Sequence, residues 1–543
     1  MEEKNLLLAS YLNNSSLVQH QVDSFNRFLD NGIAKAMGNQ NIIEPSVEGF
    51  ALKLGNVRIG SPSIIEADSS RRNIMPNEAR LRNITYGAPL YMEVVPIIRG
   101  IEKTASYGEV YVGDIPIMIR SNACHMKNMS RSQLIENGED PDDPGGYFII
   151  KGVERVLIGL DDVASNRIIT TKEKKGTEVK SRVFSSTPGF RARCVVTRNQ
   201  SGVFSVDFPT VSRSLELILL LKAIGMELEE IKEYASVMLP FKNDILLNIE
   251  LSSVNKKKPE TGILTKQEAL LELGKLAAPG QAKEYQIKRA EMQIDNYLLP
   301  HLGSDEKSRQ TKANYLLEMG KKSTAIANKI VKQDDKDHYA NKRTRFAGEL
   351  MEELFAYAFR FFLKEVKYQI ERMSARGRRL SMQSIISPDT LSEKIAYAMG
   401  TGTWVAGQTG VSQVLDRTNL LSTYAHLRRV KSPLAKKHPH FRARDVHGTQ
   451  WGKICPAESP EGQEVGLTKY LALMSKVTIG ADEAVTEKEP AAPRVLLARF
   501  THATVFVAVD EAPLSNQVYK GTLPGIPIGA PAVNSMLLRL PVS

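Results

Sequence analysis

The spacing of apolar residues changes along the chain and divides it into helical and strand-rich stretches. In the first 40 or so residues, apolar positions such as Leu17, Val22 and Phe25 recur mostly at three- and four-residue intervals, which predicts helix. From residue 42 to about 119 they occur in short runs rich in Val, Ile and Tyr, broken by Gly, Pro and Asn. This second pattern predicts a β-rich unit.

A β-hairpin is predicted next, after an acidic turn that contains Pro and Gly. Its strands would be residues 147–150 and 153–158, joined across Lys151 and Gly152. A connection of two residues that includes Gly is typical of a tight hairpin turn. We place the boundary of a second unit near Ile168.

The second unit is predicted to combine strands and helices. Residues 171–198 are rich in basic residues and contain β-branched residues at alternating positions. Helical spacing dominates from residue 211 to about 318, interrupted by a loop around residues 256–259. Residues 346–373 are the clearest predicted helix, because their apolar positions follow three- and four-residue steps along one face. Together the patterns predict a multidomain α+β fold.

Composition narrows the class of protein. At about 150 residues per domain, 543 residues correspond to three or four domains. The chain has 72 Lys and Arg against 61 Asp and Glu, a formal net charge of +11. This balance favours polyanionic partners, although charges spread evenly would also fit an ordinary solvated surface. A content of 42% hydrophobic and 24% charged residues excludes wholesale disorder.

The cysteines and the apolar stretches indicate a cytoplasmic protein without a membrane partner. Cys124, Cys194 and Cys455 lie far apart and form no C-x-x-C motif, which argues against a zinc site. The N-terminal residues do not have the pattern of a secretory signal. The longest apolar stretch, residues 215–224, contains Glu216 and Lys222 and is about half the length that a bilayer requires.

Cationic residues are concentrated between residues 410 and 448. Only Asp416 and Asp445 oppose them there. One guanidinium group can donate two parallel hydrogen bonds to the oxygens of a phosphate, so the segment predicts binding to a nucleic-acid backbone. The alternative is that the segment is an ordinary charged loop in solvent. The cations are Arg417, Arg428, Arg429, Lys431, Lys436, Lys437, Arg442 and Arg444.

Two groups of carboxylates are candidates for chemistry. Glu458 and Glu461 lie three residues apart in a turn fixed by Pro460 and Gly462, where they could orient a basic partner or act near a metal-bound nucleotide. Alternatively, Glu458 caps the structure that follows. The other candidates are Asp334, Asp335 and Asp337, and also Asp142 and Asp143, all in hydrophilic stretches typical of solvated turns and helix starts.

Several long motifs identify a family. The motif H-x-T-x-W-G-x-I-C-P-A-E-x-P-E-G, at residues 447–462, is the most specific. The segments that carry the resemblance described below are EARLRNITYGAPLYMEV, IPIMIRSNACHM, GGYFIIKGVERVLI, DKDHYANKRTRFAGELMEELF, GVSQVLDRTNLLSTYAHLRRVKSP and DVHGTQWGKICPAESPEGQEVGLTKYLALMS. From about residue 17 to about 480 the chain resembles the second-largest subunit of multisubunit DNA-directed RNA polymerase. It resembles the N-terminal half, which certain archaea carry as a separate B″ polypeptide.

The resemblance implies a domain organisation. It implies mixed helix and sheet domains called the protrusion and the lobe, together with a fork region. The implied ranges are 1–168 for the first part of the protrusion, 169–346 for the lobe, 347–405 for the returning part of the protrusion, 406–480 for the fork, and 481–543 for the start of the external region and a tail.

The resemblance also implies where nucleic acid binds. Gln413, Asp416, His426, Arg428 and Arg429 match the wall of the family's RNA–DNA path, with Arg417 in the same basic segment. Arg442, Arg444 and His447 match a loop that faces the downstream edge of the hybrid, and Glu461 matches an acidic residue near the entering nucleotide.

The implied function is a share in transcription, not catalysis by this chain alone. The family's Mg²⁺ is held by the largest subunit, so no cofactor or metal is expected on this chain. The implied partners are the DNA template, the RNA transcript, the B′ half of the second-largest subunit, the largest subunit and other polymerase subunits. Two alternatives are a free-standing nucleic-acid-binding scaffold and an independent metal-dependent nucleotidyltransferase that uses Asp334, Asp335 and Asp337.

Overall fold

The helices of the computed structural model occur in both halves of the chain. The structure describes Ser10, residues 16–477 except 39–41, 48, 69, 103–108, 174–177, 188–189, 212, 253–264, 378–381, 438 and 474, and four short strands beyond them. The helices are α1 (Gln19–Arg27), α2 (Ile33–Met37), α3 (Pro76–Leu81), α4 (Arg131–Glu136), α5 (Leu217–Ile224), α6 (Leu228–Ala235), α7 (Leu239–Leu251), α8 (Lys266–Ala277), α9 (Lys283–Asn296), α10 (Ser308–Ala327), α11 (Ala347–Ala375), α12 (Met382–Ile385), α13 (Asp389–Thr401), α14 (Leu420–Leu427) and α15 (Phe441–Arg444).

The strands are mostly short and form several separate sheets. They are β1 (Ile42–Ile43), β2 (Phe50–Ile59), β3 (Ser63–Ile65), β4 (Arg71–Asn73), β5 (Gly87–Ile98), β6 (Ile101–Glu102), β7 (Glu109–Pro116), β8 (Phe148–Ile150), β9 (Val153–Leu157), β10 (Gly159–Val163), β11 (Ile169–Lys172), β12 (Val179–Thr187), β13 (Phe190–Arg198), β14 (Phe204–Asp207), β15 (Leu215–Glu216), β16 (Lys342–Arg345), β17 (Ser412–Val414), β18 (Arg429–Lys431), β19 (Thr468–Tyr470), β20 (Lys476–Val477), β21 (Val505–Ala508), β22 (Thr522–Leu523), β23 (Ile526–Pro527) and β24 (Ser535–Leu538).

The chain forms two compact units, and each mixes helices with strands. The first comprises residues 1–162 and 342–543, and the second comprises residues 163–341. The predicted α+β multidomain fold is therefore confirmed. The assignment of the ranges to protrusion, lobe and fork stays a prediction.

The core of the first unit is organised by the long helix α11. The predicted helix at residues 346–373 is confirmed, and its apolar stripe is buried, including Leu354, Phe355 and Phe362. The Phe355 ring meets the ring of Phe28 at 6.3 Å between centroids. The start of α11 lies against α1, where the Gly348 N–H donates to Ser24 Oγ at 3.0 Å.

The predicted hairpin is confirmed and supports the candidate site. Strands β8 and β9 pair antiparallel, and β9 also pairs with β17 on its other side. The connecting residues Lys151 and Gly152 both have positive φ, 48° and 77°. A Cβ on Gly152 would lie 2.8 Å from the Asn83 Cα, so glycine is required there for both space and conformation.

A four-stranded sheet ties the returning chain to the first unit. Its order is β16-β10-β18-β19, and β10 and β18 run parallel. Asp161 on β10 is buried, and its carboxylate accepts from the Lys469 ammonium on β19 at 2.8 Å. The Lys342 ammonium on β16 lies 3.6 Å from the same oxygen. Charges on three strands of this sheet therefore compensate one another.

The second unit pairs an antiparallel sheet with helices. Its sheet has the order β11-β12-β13-β14-β15, and β12 and β13 lie within residues 171–198, where the alternation predicts strands. Helix α5 is buried along its whole length and ends at Gly225 in the left-handed conformation. No helix among the described residues is long and apolar enough to cross a membrane. The predicted loop at residues 256–259 lies outside the described residues.

The close approach of α11 to α1 predicts a strict requirement for glycine at position 348. A Cβ at this position would collide with the Ser24 carbonyl oxygen and would lie 2.8 Å from Ser24 Oγ. We expect Gly348→Ala to lower the free energy of unfolding of the first unit by about 1–3 kcal/mol through overpacking. Urea denaturation followed by circular dichroism measures the change.

The matched control is Gly400→Ala in helix α13. A Cβ on Gly400 would meet no atom within 4 Å, so the higher helix propensity of alanine should leave stability unchanged or raised by up to about 1 kcal/mol. If both variants had the wild-type midpoint, the packing of α11 on α1 would tolerate a side chain and the explanation would be wrong.

Candidate functional site

The candidate site is built on three consecutive short elements of the first unit. Strand β17 pairs with β9, helix α14 follows, and β18 pairs with β10 and β19. Helix α14 begins at Asn419 with a reciprocal cap: Asn419 Oδ1 accepts from the Ser422 N–H at 2.8 Å, and Ser422 Oγ accepts from the Asn419 N–H at 3.1 Å. These elements fix the positions of the predicted binding residues 413–429.

The structure brings Gln413, Asp416 and His426 together. The Asp416 backbone N–H donates to His426 Nδ1 at 3.1 Å, so Nδ1 is an acceptor and the ring proton belongs on Nε2. His426 Nε2 lies 3.1 Å from Gln413 Oε1, and the Gln413 amide donates in turn to the Gly410 carbonyl. Burial, aided by the charge of Arg429, lowers the pKa of His426 to about 4. The imidazole is therefore neutral at physiological pH.

Arg428 occupies an interior position rather than an open one. Its residue is only 6% exposed, and its guanidinium donates to the carbonyl oxygens of Leu17, Ala472 and Leu473, the last two at 2.6 and 3.2 Å. It thereby ties the start of α1 to the segment that follows β19. Arg428 is therefore part of the interior of the fold, because its guanidinium serves these backbone carbonyls.

Arg417 is also held by the fold. Its guanidinium pairs with the carboxylates of Glu154 and Asp143 at 2.7 Å each and lies 4.9 Å from the centroid of the Tyr147 ring. Asp143 is buried and also accepts from the Tyr147 hydroxyl. The prediction of a solvated turn is wrong for Asp143, which belongs to this interior charge network, whereas Asp142 is exposed and pairs with Arg131.

Among the other predicted residues, Arg429 and Arg442 are at least partly accessible, whereas His447 and Arg444 contact neighbouring groups of the loop. The Arg429 guanidinium lies 5.5 Å from the centroid of the Tyr470 ring and 3.4 Å from Gln413 Oε1. Arg442 is exposed on α15. His447 is half-buried, and its Nδ1 accepts from the Thr449 N–H at 3.2 Å. Arg444 contacts backbone carbonyls on both sides of the loop.

The Glu461 carboxylate is exposed at the start of a single 3₁₀ turn, Gly462–Glu464. Within the described part of the chain, no group forms a hydrogen bond or an ion pair with this carboxylate. The turn that the sequence predicts is thus short and helical at its end. Glu458 lies nearby, where burial raises the pKa of its carboxyl and the charges of Arg428 and Arg429 oppose that rise.

The aspartates at 334, 335 and 337 have structural partners in the second unit. The Asp334 carboxylate accepts from the Thr170 N–H at 2.8 Å and from the Lys322 ammonium at 2.6 Å. Asp335 Oδ1 accepts from the Asp337 N–H at 3.0 Å, which closes a local turn. Among the described residues, no group of three or more His, Cys, Asp or Glu side chains is arranged to hold a metal ion.

Two family models match most of the chain. The model described as "RNA polymerase beta subunit" matches residues 16–393, and the model described as "RNA polymerase Rpb2, domain 3" matches residues 413–477. The chain belongs to the RNA polymerase beta subunit family. The second match covers the candidate site from Gln413 to Lys469, so the site lies within a region that the family model describes.

Individual relatives support the same assignment. The chain is 44% identical to DNA-directed RNA polymerase subunit Rpo2N of Methanocaldococcus jannaschii over 88% of this chain and 96% of that protein. It is 42% identical to Rpo2N of Methanococcus vannielii, over 89% and 97%. It is 41% identical to subunit Rpo2 of Saccharolobus solfataricus, over 90% of this chain and 43% of that protein. These matches confirm the predicted N-terminal half of the second-largest subunit.

Sequence reasoning missed the buried charges at Asp161 and Lys469 and their half-buried partner Lys342. The available signal was a pair of acidic residues, Asp161 and Asp162, between the apolar residues Leu160 and Val163. A charge in such a strand is stable only with partners, but a single sequence does not name them. The partners lie more than 150 residues away, on β16 and β19.

We expect Arg428→Ala to destabilise the first unit strongly. The substitution removes the donor that serves three partly buried carbonyls and leaves a cavity where the buried side chain was, which should lower the free energy of unfolding by about 3 kcal/mol. Arg442→Ala, on the exposed side of the same segment, should change it by less than about 0.5 kcal/mol. Thermal and urea unfolding of the two variants test the contrast, and equal midpoints would show that Arg428 has no structural role.

The low pKa of His426 predicts a pH-dependent loss of stability. The unfolded chain binds a proton at this ring near the ordinary value of 6.5, whereas the folded chain binds it only near 4, so stability should fall as the pH drops through this window. In His426→Gln, stability should fall less steeply with decreasing pH. Part of the remaining fall should come from His20, whose pKa burial lowers to about 3.

The measurement is the urea midpoint of both proteins between pH 8 and pH 4. Above about pH 7 neither protein titrates at this position, so the difference between their midpoints should be constant there and serves as the internal control. Parallel curves throughout the range would contradict a neutral buried His426.

Proposed function

We propose that the chain forms one side of the DNA cleft of a DNA-directed RNA polymerase and that residues 406–480 form the fork near its active centre. Family membership makes the chain a subunit of this nucleotidyltransferase assembly. The observation that carries the finer proposal is the exposed chemistry of this segment, in which Arg442 and the Glu461 carboxylate face solvent while their neighbours are held by the fold.

The charge of the segment supports binding to a nucleic-acid backbone. Lys431 and Lys436 lie close together: burial and the charge of Lys436 lower the pKa of Lys431, and the charge of Glu464 opposes this shift. Lys437 and Arg442 are exposed. Crowded cations attract a polyanion because binding of phosphate relieves their mutual repulsion and releases counterions. Arg429, next to the neutral His426 and Gln413, would add directional hydrogen bonds along the same wall.

Arg417, Arg428 and Arg444 contribute to this wall in a different manner. Their guanidinium groups already bond to carboxylates or carbonyls of the chain, so the contacts that the family resemblance implies for them would be indirect. Asp416 is likewise engaged: its carboxylate accepts from the Thr418 N–H and hydroxyl, which lowers the pKa of the carboxyl. His447 would stabilise the loop through Thr449.

The Mg²⁺ of the assembled enzyme is best assigned to the largest subunit. Its chemistry is the stabilisation of charge during phosphoryl transfer. Asp334 and Asp335 do not fit that role, because Asp334 pairs with Lys322 and Asp335 holds a turn. Phosphoryl transfer would therefore belong to the assembly, and this chain would guide DNA and RNA and bind the ribonucleoside triphosphate only indirectly.

The match to relatives named Rpo2N supports the split archaeal form, the B″ polypeptide. The chain spans 96–97% of two Rpo2N proteins but only 43% of a longer Rpo2 protein. Its partners would then be the B′ half, the largest subunit and the other polymerase subunits, together with the DNA template and the RNA transcript in the cytoplasm. A free-standing nucleic-acid-binding scaffold would explain the cations but not this match.

The proposed place of Glu461 near the entering nucleotide predicts a kinetic defect. Its carboxylate would repel a triphosphate directly but can orient a neighbouring cation, so Glu461→Ala should change KM for the nucleotide or the elongation rate by roughly ten- to a hundredfold. Single-nucleotide addition on a preassembled scaffold by the reconstituted polymerase measures both constants.

Glu136→Ala, which removes an exposed carboxylate at the end of α4, is the control and should behave as wild type. Wild-type kinetics for Glu461→Ala would reduce this residue to a part of the turn. A complete loss of activity in a correctly assembled enzyme would mean that the catalytic centre extends into this chain.

A further inference from the structure

The guanidinium group of Arg444 joins two separate segments of the candidate site. On one side, Nε donates to the Pro439 carbonyl at 2.9 Å and Nη2 donates to the Lys436 carbonyl at 3.1 Å. On the other side, Nη1 donates to the carbonyls of Gln463 and Val465, both at 2.8 Å. One side chain therefore links the loop before α15 to the turn that follows Glu461.

The main chain at the same place leaves no room for a side chain. A Cβ on Gly466 would collide with the Arg444 carbonyl oxygen and would lie 2.6 Å from the Arg444 Cα, and Gly466 itself has a φ of +69°. Two features therefore keep the segments in contact. The Arg444 guanidinium bonds to carbonyls of both segments, and Gly466 lets the two main chains approach closely. An ion pair between Lys436 and Glu464 spans the same two segments.

The turn held in this way leads directly into the sheet. The Leu467 N–H donates to the Glu464 carbonyl at 3.0 Å, and the Ser432 N–H donates to the Leu467 carbonyl at 2.8 Å. Strand β19 begins at the next residue, Thr468, and pairs with β18. Any displacement of Arg444 would therefore release a short segment between Glu461 and an otherwise fixed strand.

We propose that Arg444 is a positioning residue that clamps the turn of residues 461–466 against α15, so that Glu461 and Arg442 are presented on one rigid surface. This inference rests on the proposed function, which places Glu461 near the entering nucleotide. It replaces the direct phosphate contact that the family resemblance implies for Arg444. The planar guanidinium can serve carbonyls in four directions, whereas a lysine ammonium has three donors on a flexible stem and cannot reproduce this fork.

The test uses three variants of the reconstituted polymerase. Arg444→Lys keeps the charge but removes the fork, Gly466→Ala opens the same contact from the opposite side, and Arg442→Lys is the control on the same short helix. Hydrogen–deuterium exchange of peptides covering residues 461–467 reports the clamp directly, because the amides of Val465 and Leu467 are bonded within the turn. Peptides from helix α11, in the same unit as the variants, show whether that unit is folded.

We expect exchange in residues 461–467 to be roughly tenfold faster in Arg444→Lys and in Gly466→Ala, and unchanged in Arg442→Lys. Nucleotide addition by the first two variants should then show the same defect in KM or rate as Glu461→Ala. Unchanged exchange in Arg444→Lys, together with an altered salt dependence of complex lifetime, would overturn the clamp in favour of a phosphate contact.

The failure of the clamp and the failure of the proposed function give different results. If exchange rises in both variants while their kinetics stay at wild type and Glu461→Ala is impaired, the positioning role is overturned. If exchange rises and Glu461→Ala is also at wild type, the clamp is supported and the place of Glu461 near the nucleotide is what fails.

Discussion

The arrangement of the candidate site depends on one interaction, the pairing of the buried Asp161 carboxylate with two lysine ammonium groups. Burying an unpaired carboxylate is strongly unfavourable, so β10 is stable only when cations reach it. They come from Lys342 on β16, where the chain returns to the first unit, and from Lys469 on β19, at the end of the site. Because β18 lies between β10 and β19, these charges hold the strand that carries Arg429.

The cations of the site divide into two classes that the sequence does not distinguish. Arg428 and Arg444 donate to backbone carbonyls, and Arg417 pairs with two carboxylates. The donors of these three guanidinium groups are therefore engaged within the fold. Arg442 and Lys437 are exposed. Arginine suits the first class because its five donors can satisfy several acceptors at once, whereas a single lysine ammonium can do so less completely. Local charge density therefore overstates the number of residues available to a polyanion.

The elements with strong local signals could be predicted from sequence. Helix α11 shows a continuous apolar stripe, and the β8–β9 hairpin has Lys151 and Gly152 at its turn, so short-range preferences suffice for both. The burial of Arg428 could not be predicted, since its acceptor on Leu17 lies 411 residues away. Long-range contacts of this kind are set by tertiary packing, which leaves no periodic trace in a single sequence.

The state of His426 limits how the proposed wall can recognise nucleic acid. Its Nδ1 accepts from the backbone of Asp416, and its Nε2–H faces Gln413 Oε1, so both ring nitrogens are engaged and the ring carries no charge at neutral pH. Protonation would place a donor against the Asp416 N–H and a charge beside Arg429, and both are unfavourable. Electrostatic attraction in this region must therefore come from Arg429, Lys431 and their neighbours. His426 would contribute shape and the orientation of the Gln413 amide, which no cation could replace without breaking the same hydrogen bonds.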